Sequence, residues 1–200
     1  MTILLVRHGR TRFNDERRYQ GRLDVPLSAA GAAELTAAEF APETVCVSPL
    51  RRAQQTADIV FPRARKKIAV PEFAEMDFGA FEGRTADEMA DDPAYRAWVA
   101  SGATLPCPGG ESFASFSARV CAAFETLMRD WQGETLAIVA HGGTLCALMD
   151  RYAVPERGYF DWMCGNGCGY RLDGDAALWR ERRKLRLVEP VGFTREAAGC

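Results

Sequence analysis

Thr2-Ile3-Leu4-Leu5-Val6-Arg7-His8-Gly9 is a short apolar run that stops at a polar cluster and a glycine. It reads as a buried strand whose end turns sharply, since glycine relieves the steric limits on such a turn. Leu136-Ala137-Ile138-Val139-Ala140-His141-Gly142-Gly143 has the same form far along the chain. Two further strands are expected between them, Thr44 to Val47, closed by Ser48-Pro49, and Lys67 to Val70, bounded by Pro71. Helices are expected from Ser28 (a plausible N-cap) to about Phe40, from Leu50 to about Ile59, and from Gly142 to about Arg151. Phe113, Phe116, Val120, Phe124 and Leu127 recur at steps of three and four, an amphipathic helix with an aromatic stripe. Two last strands are placed near Tyr170–Leu172 and Ala177–Leu187. Strands alternating with helices predict an α/β protein, a three-layer sandwich with a largely parallel central sheet flanked by helices. Residues 71–112 break the pattern with Pro71, Pro93, Pro106, Pro108 and many glycines, holding helical pieces only near 85–91 and 93–100. They read as an irregular helical cover over a site, within a single domain spanning residues 1–200.

The formal net charge of −2 implies no general attraction to nucleic acid or anionic membrane. No stretch approaches the ~20 apolar residues of a membrane span, and the first residues are too short a run for a secretory signal. A cytoplasmic protein, monomer or homodimer, is the expectation. Of the 25 basic residues only Lys66, Lys67 and Lys184 are lysines; genome composition explains that bias at least as well as phosphate binding. The clusters at Arg63–Lys67 and Arg180–Arg186 read as solvated faces. Seven cysteines, an odd count, argue for reduced thiols, Cys200 among them. Cys164 and Cys168 form a close pair without a second pair to complete a zinc site, so they are expected to fill space.

The chain has two histidines, His8 and His141, each at the end of an expected strand and each followed by glycine. In parallel sheets ligands gather at the carboxyl ends of strands. A helix starting there can direct free N–H groups at an anion. Two histidines at matching strand ends therefore point to a site rather than to packing.

Leu5-Val6-Arg7-His8-Gly9-Arg10-Thr11-Arg12-Phe13-Asn14 resembles the signature of the histidine phosphatase superfamily, the clan of phosphoglycerate mutases and related phosphatases. The likeness continues in family order through Tyr19-Gln20-Gly21, Leu27-Ser28-x-x-Gly31, Ser48-Pro49-Leu50-Arg51-Arg52-Ala53-Gln54-Gln55-Thr56, Glu75-Met76-Asp77-Phe78-Gly79 and Val139-Ala140-His141-Gly142-Gly143. One departure is Arg10, where many members carry Glu; it is read as altering local charge and not the mechanism. The resemblance implies that His8 is the nucleophile, with Arg7, Arg52 and His141 around the phosphoryl oxygens. The family pattern selects Arg52 over Arg51. It also makes Glu75 the general acid, ahead of Glu72, Asp77 and Glu82. Thr11, Asn14, Gln20, Gly21 and the Gly142 amide are the implied substrate-binding groups. No metal and no cofactor are expected.

The implied activity is hydrolysis of a small phosphomonoester through a phosphohistidine. A phosphoglycerate mutase is the alternative, and a catalytically idle phosphate-binding module is an alternative of another class. Within the phosphatases, Glu75 to Gly79, Trp98, the block Gly110-Glu111-Ser112-Phe113-x-x-Phe116-Ser117-x-Arg119-Val120 and the glycines from Gly165 to Gly169 resemble α-ribazole phosphatases of cobalamin assembly. Five carboxylates between Glu82 and Asp92 against Arg84 would disfavour polyanionic substrates if they face the cleft. Phe81, Tyr95 or Trp98 could stack on a base, with core packing the plainer role.

Overall fold

The computed structural model describes residues 1–195. Seven strands form one sheet: β1 (Thr2–Arg7), β2 (Thr44–Val47), β3 (Lys66–Ala69), β4 (Thr135–Ala140), β5 (Ala153–Val154), β6 (Cys168–Asp173) and β7 (Leu185–Gly192). Their order is β3-β2-β4-β1-β6-β7-β5. The block β3-β2-β4-β1 is parallel, β6 runs antiparallel to both β1 and β7, and β5 lies parallel to β7. The sheet is thus mostly parallel, as expected.

Strand periodicity divides the core. Ile3, Leu5, Leu136 and Ile138 belong to one apolar cluster, while Leu4, Val6, Ala137 and Val139 belong to another on the opposite face. Helices cover both faces because their own stripes match. Helix α3 (Arg51–Val60) presents Ala53, Ala57 and Val60 to the second cluster. Helices α5 (Phe113–Asp130) and α6 (Gly142–Tyr152) pack on the first, α5 through Phe116, Val120, Phe124 and Met128. Four shorter helices complete the set: α1 (Arg12–Asp15), α2 (Ala29–Glu34), α4 (Pro93–Ala100) and α7 (Ala176–Arg182). The three layers of the sandwich follow directly from these faces.

Three expectations are corrected. The helix capped by Ser28 ends at Glu34, not near Phe40: Leu35 turns extended, pairs with Thr194 and buries its side chain. The segment Ala177 to Arg182, expected as strand, is helical. The Asp175 carboxylate accepts from the Ala177 and Leu178 amides, and buried Trp179 anchors the helix against Phe124 and Tyr152. Local capping and an aromatic anchor there outweigh the apolar run that suggested a strand. Cys168 is disulfide-bonded, against the expectation of reduced thiols. Cys46, Cys107, Cys121, Cys146 and Cys164 are free. Cys200 lies outside the described residues. No helix among the described residues is long and apolar enough to cross a membrane.

Residues 71–112 do form a cover of short turns plus α4. Phe78, Phe81, Tyr95 and Trp98 pack edge-to-face or stacked on one another and on Tyr19. That aromatic knot holds the irregular backbone in place.

Candidate active site

Strands β1 and β4 are neighbours in parallel register, with Arg7 beside Ala140, so the residues that follow them emerge side by side. His8 and His141 accordingly meet, ring centroids 5.2 Å apart and inclined at 60°. Both are buried, at 3% and 0% exposure.

The His8 ring is fixed by its own loop. Nδ1 lies 2.7 Å from the Gly9 carbonyl. A carbonyl can only accept, so Nδ1 carries the proton and Nε2 keeps its lone pair. Burial holds the His8 pKa well below 6.5, helped by the Arg52 and Arg7 guanidinium groups. His8 is thereby kept neutral, the state a nitrogen nucleophile requires. His141 is also held far below 6.5, by burial first and then by Arg52. Its Nε2 lies 2.6 Å from Ser48 Oγ, while Nδ1 is buried without a partner.

The two arginines are locked by backbone carbonyls. Arg7 Nη1 donates to Cys164 O at 2.5 Å. Arg52 is wholly buried and donates from Nη1 to Leu23 O and from Nη2 to Gly21 O, each at 2.8 Å. Gly21 has φ of +42°, and a Cβ there would run into Glu82 and the Met76 carbonyl, so glycine alone permits this anchor. Burial lowers the Arg52 pKa to about 10, with Glu75 the first of the carboxylates opposing it. The Nε atoms of both arginines are buried and unpartnered. With His141 Nδ1 they form a set of unsatisfied nitrogens around His8, the arrangement an anion would complete.

Glu75 stands at the mouth of α6. Its Oε2 accepts from the Gly143 amide and its Oε1 from the Met76 amide, both at 2.9 Å. Its main chain is pinned by Arg119 of α5, which donates to the carbonyls of Glu72, Ala74 and Glu75 and forms a forked pair with the Glu111 carboxylate. Glu82, the competing carboxylate, is spent on the Arg22, Leu23 and Phe78 amides. Arg51 is exposed, and Arg10 pairs with Glu34 and Asp15.

A cavity of about 550 Å³ opens from these groups, with Arg7, His8, Asn14, Gln20, Gly21, Arg52, Glu75 and Gly142 on its wall. His141 meets the His8 ring edge-on but is not itself on the wall. Thr11 is fully buried beneath it, where its hydroxyl bonds Asn14 Oδ1 and Gln20 Oε1. Thr11 therefore shapes the wall without reaching the cavity. Most of the remaining wall is apolar, with Met76, Phe78, Trp98, Phe113, Phe116, Tyr159, Phe160 and Met163, and Arg18 and Thr104 are its polar members. Of the aromatics weighed from sequence, only Trp98 is on this wall; Phe81 and Tyr95 are packed behind it. The acidic run does not face the cavity. Glu88 pairs with Arg18 and Asp92 with Arg84 on the outside, so the expected repulsion of polyanions has no basis there. Tyr159, Phe160 and Met163 escaped the sequence reading, because an isolated 3₁₀ turn at Tyr159–Trp162 leaves no periodic signal. Among the described residues no group of three or more His, Cys, Asp or Glu side chains is placed to share an ion.

Comparison with known proteins identifies the family and the fold. The sequence profile described as histidine phosphatase superfamily (branch 1) matches residues 3–184. A bifunctional protein of Mycobacterium tuberculosis is 34% identical over 207 aligned positions, which cover 96% of this chain and 54% of the relative. The chain thus spans about half the length of that relative. A metal-independent phosphoserine phosphatase of Arabidopsis thaliana is 35% identical, covering 73% of this chain and 66% of its own. The crystal structure of the α-ribazole phosphatase from Shigella flexneri superimposes with a TM-score of 0.82 at 26% identity, covering 100% of this chain and 99% of that one.

Proposed function

The chain belongs to the histidine phosphatase superfamily, and from that premise we propose that it hydrolyses phosphomonoesters through a phosphohistidine on His8, without a metal ion. The observation that carries the proposal is the neutral His8 ring, its Nδ1 proton committed to Gly9 O, among unsatisfied nitrogens of Arg7, Arg52 and His141. His8 Nε2 attacks phosphorus, forming an N–P bond as the bond to the ester oxygen breaks. Glu75 gives that oxygen its proton. The Glu75 carboxylate then takes a proton from a water whose oxygen attacks phosphorus, releasing phosphate and restoring His8. Arg7, Arg52 and His141 offset the charge on the phosphoryl oxygens throughout. Asn14, Gln20, Gly21 and the Gly142 amide contact the substrate, and Thr11 supports Asn14 and Gln20.

The apolar walls favour a substrate whose leaving group is flat and uncharged, such as α-ribazole 5′-phosphate or a nucleotide-like monophosphate. A carboxylate on phosphoserine or phosphoglycerate would need a free cation. Arg18, the remaining cation on the wall, is committed to Glu16, Glu88 and the Gly83 carbonyl. This speaks against the mutase alternative.

The test is release of inorganic phosphate, with a chelator present, from aryl phosphates, α-ribazole 5′-phosphate, O-phosphoserine and the phosphoglycerates, ranked by kcat/KM. His8→Ala should abolish turnover, with the wild type yielding an acid-labile phosphoryl group on His8. A trapped phosphoryl group on any other side chain, or activity confined to interconverting 2- and 3-phosphoglycerate, would overturn the proposal.

A further inference from the structure

Asn166 lies in the glycine-rich turn before β6, 158 positions from His8 in sequence, yet it touches the nucleophile's backbone. Its Nδ2 is 3.0 Å from His8 O, 3.5 Å from Gly9 O and 3.4 Å from Asn14 Oδ1. Asn14 Oδ1 also accepts from the Thr11 amide and the Thr11 hydroxyl, each at 3.0 Å. An amide terminus facing three donors has to be the oxygen. The Asn14 nitrogen must then point the other way, and Asn14 is on the cavity wall. The Thr11 hydroxyl shares its one hydrogen with Gln20 Oε1 at 3.0 Å, so the two N–H donors that set this orientation are the Thr11 amide and Asn166 Nδ2.

We infer that Asn166 is a positioning residue: its two amide hydrogens hold the His8 carbonyl and turn the Asn14 side chain so that Nδ2–H faces the phosphoryl group. The inference rests on the phosphate-binding part of the reading above. Its consequence is specific. Aspartate at 166 has no hydrogens to give and sets negative oxygens against His8 O and Asn14 Oδ1. The Asn14 amide is then drawn to donate to the carboxylate against the hold of the Thr11 amide, and to the extent that it turns over it presents an oxygen to the incoming phosphate. A shape-conserving change off the cavity wall thus converts a donor into a repulsive group.

The experiment is a double-mutant cycle on the full chain: wild type, Asn166→Asp, Asn14→Ala and the pair, each measured for affinity to inorganic phosphate and for kcat/KM on an aryl phosphate. Asn166→Asp should weaken both by about 10- to 100-fold, the range for a hydrogen bond to a charged group. In the Asn14→Ala background the same change should cost less than about 3-fold, since the side chain it reorients is gone. Equal losses in both backgrounds would show Asn166 acting on the fold or on His8 alone, and would overturn the inference; so would no loss at all. If the aspartate variant does not fold by circular dichroism, Asn166→Ala runs the same cycle, with about a 3- to 10-fold loss expected that vanishes beside Asn14→Ala. Phosphate affinity needs no turnover, so a cycle that behaves as stated while no phosphohistidine forms would uphold this inference and sink the hydrolase reading.

Discussion

Acidification from pH 7.5 to 5.5 should remove up to about 3 kcal/mol of folding stability, nearly all of it at two side chains. His8 and His141 are both fully buried and held neutral, their pKa values pressed well below 6.5 by burial and then by the neighbouring cations. Unfolded, each histidine takes up a proton near pH 6.5; folded, neither does so until far lower. The unfolded chain thus binds more protons as pH falls through 6.5, and stability falls with it. Each group that stays neutral in the fold loses RT ln(1 + 10^(6.5−pH)), which is negligible at pH 7.5 and on the order of 1 kcal/mol at pH 5.5. Two histidines give the total. The floor of pH 5.5 keeps ordinary carboxylates ionised in both states. Urea unfolding followed by tryptophan fluorescence, at the two pH values, measures the loss in the wild type, His8→Asn, His141→Asn and the pair. Each single variant should show about half of the wild-type loss and the pair almost none. A pair that still loses as much as the wild type would refute the reasoning, as would a wild type indifferent to pH across this range.

Arg52→Gln should move the acid limb of the kcat/KM profile toward neutrality, because this guanidinium is the largest charge contribution depressing the His8 pKa; an unmoved limb in a weakened enzyme would contradict the electrostatic account. Glu75→Gln should cost about 10²–10⁴-fold on alkyl phosphates and far less on an aryl phosphate whose phenolate leaves without a proton, a contrast read by initial rates on matched substrates. Phe160 projects from the cavity wall with 67% of its surface exposed. Phe160→Ala should raise KM several-fold for a ring-bearing phosphate and leave KM for a small alkyl phosphate nearly unchanged, about the contribution expected of one aromatic contact.

How much was legible before the coordinates depended on the range of the signal. The strands ending at His8 and His141 were readable because apolar runs, alternation and a following glycine are local. The faces of α3 and α5 were readable for the same reason. Leu35 leaving its helix was not, since its partner Thr194 is far along the chain. The Asp175 cap was local and could have been read: an aspartate before Ala176-Ala177-Leu178 is a helix start, but the apolar residues after it drew the assignment to strand. In the site, the motif residues are legible as a group that the fold brings together, while how they divide between wall and support is not. Thr11 backs the wall instead of forming it, and Gly143, beside the Gly142 amide, has its own amide bound to Glu75. The apolar wall at Tyr159, Phe160 and Met163 and the support from Asn166 come from segments with no periodicity. Only tertiary placement gives them meaning.

The Arg119 guanidinium spends all its bonds on main-chain carbonyls of residues 72–75 and on Glu111. Glu75 is in this way moored to α5, a long helix of the core, and not to the loops that arch over the cavity. Changes between Arg84 and Cys107 that spare Tyr95 and Trp98 can therefore remodel what enters while Glu75 keeps its place. Chemistry and selectivity are separable parts of this chain, joined at one arginine.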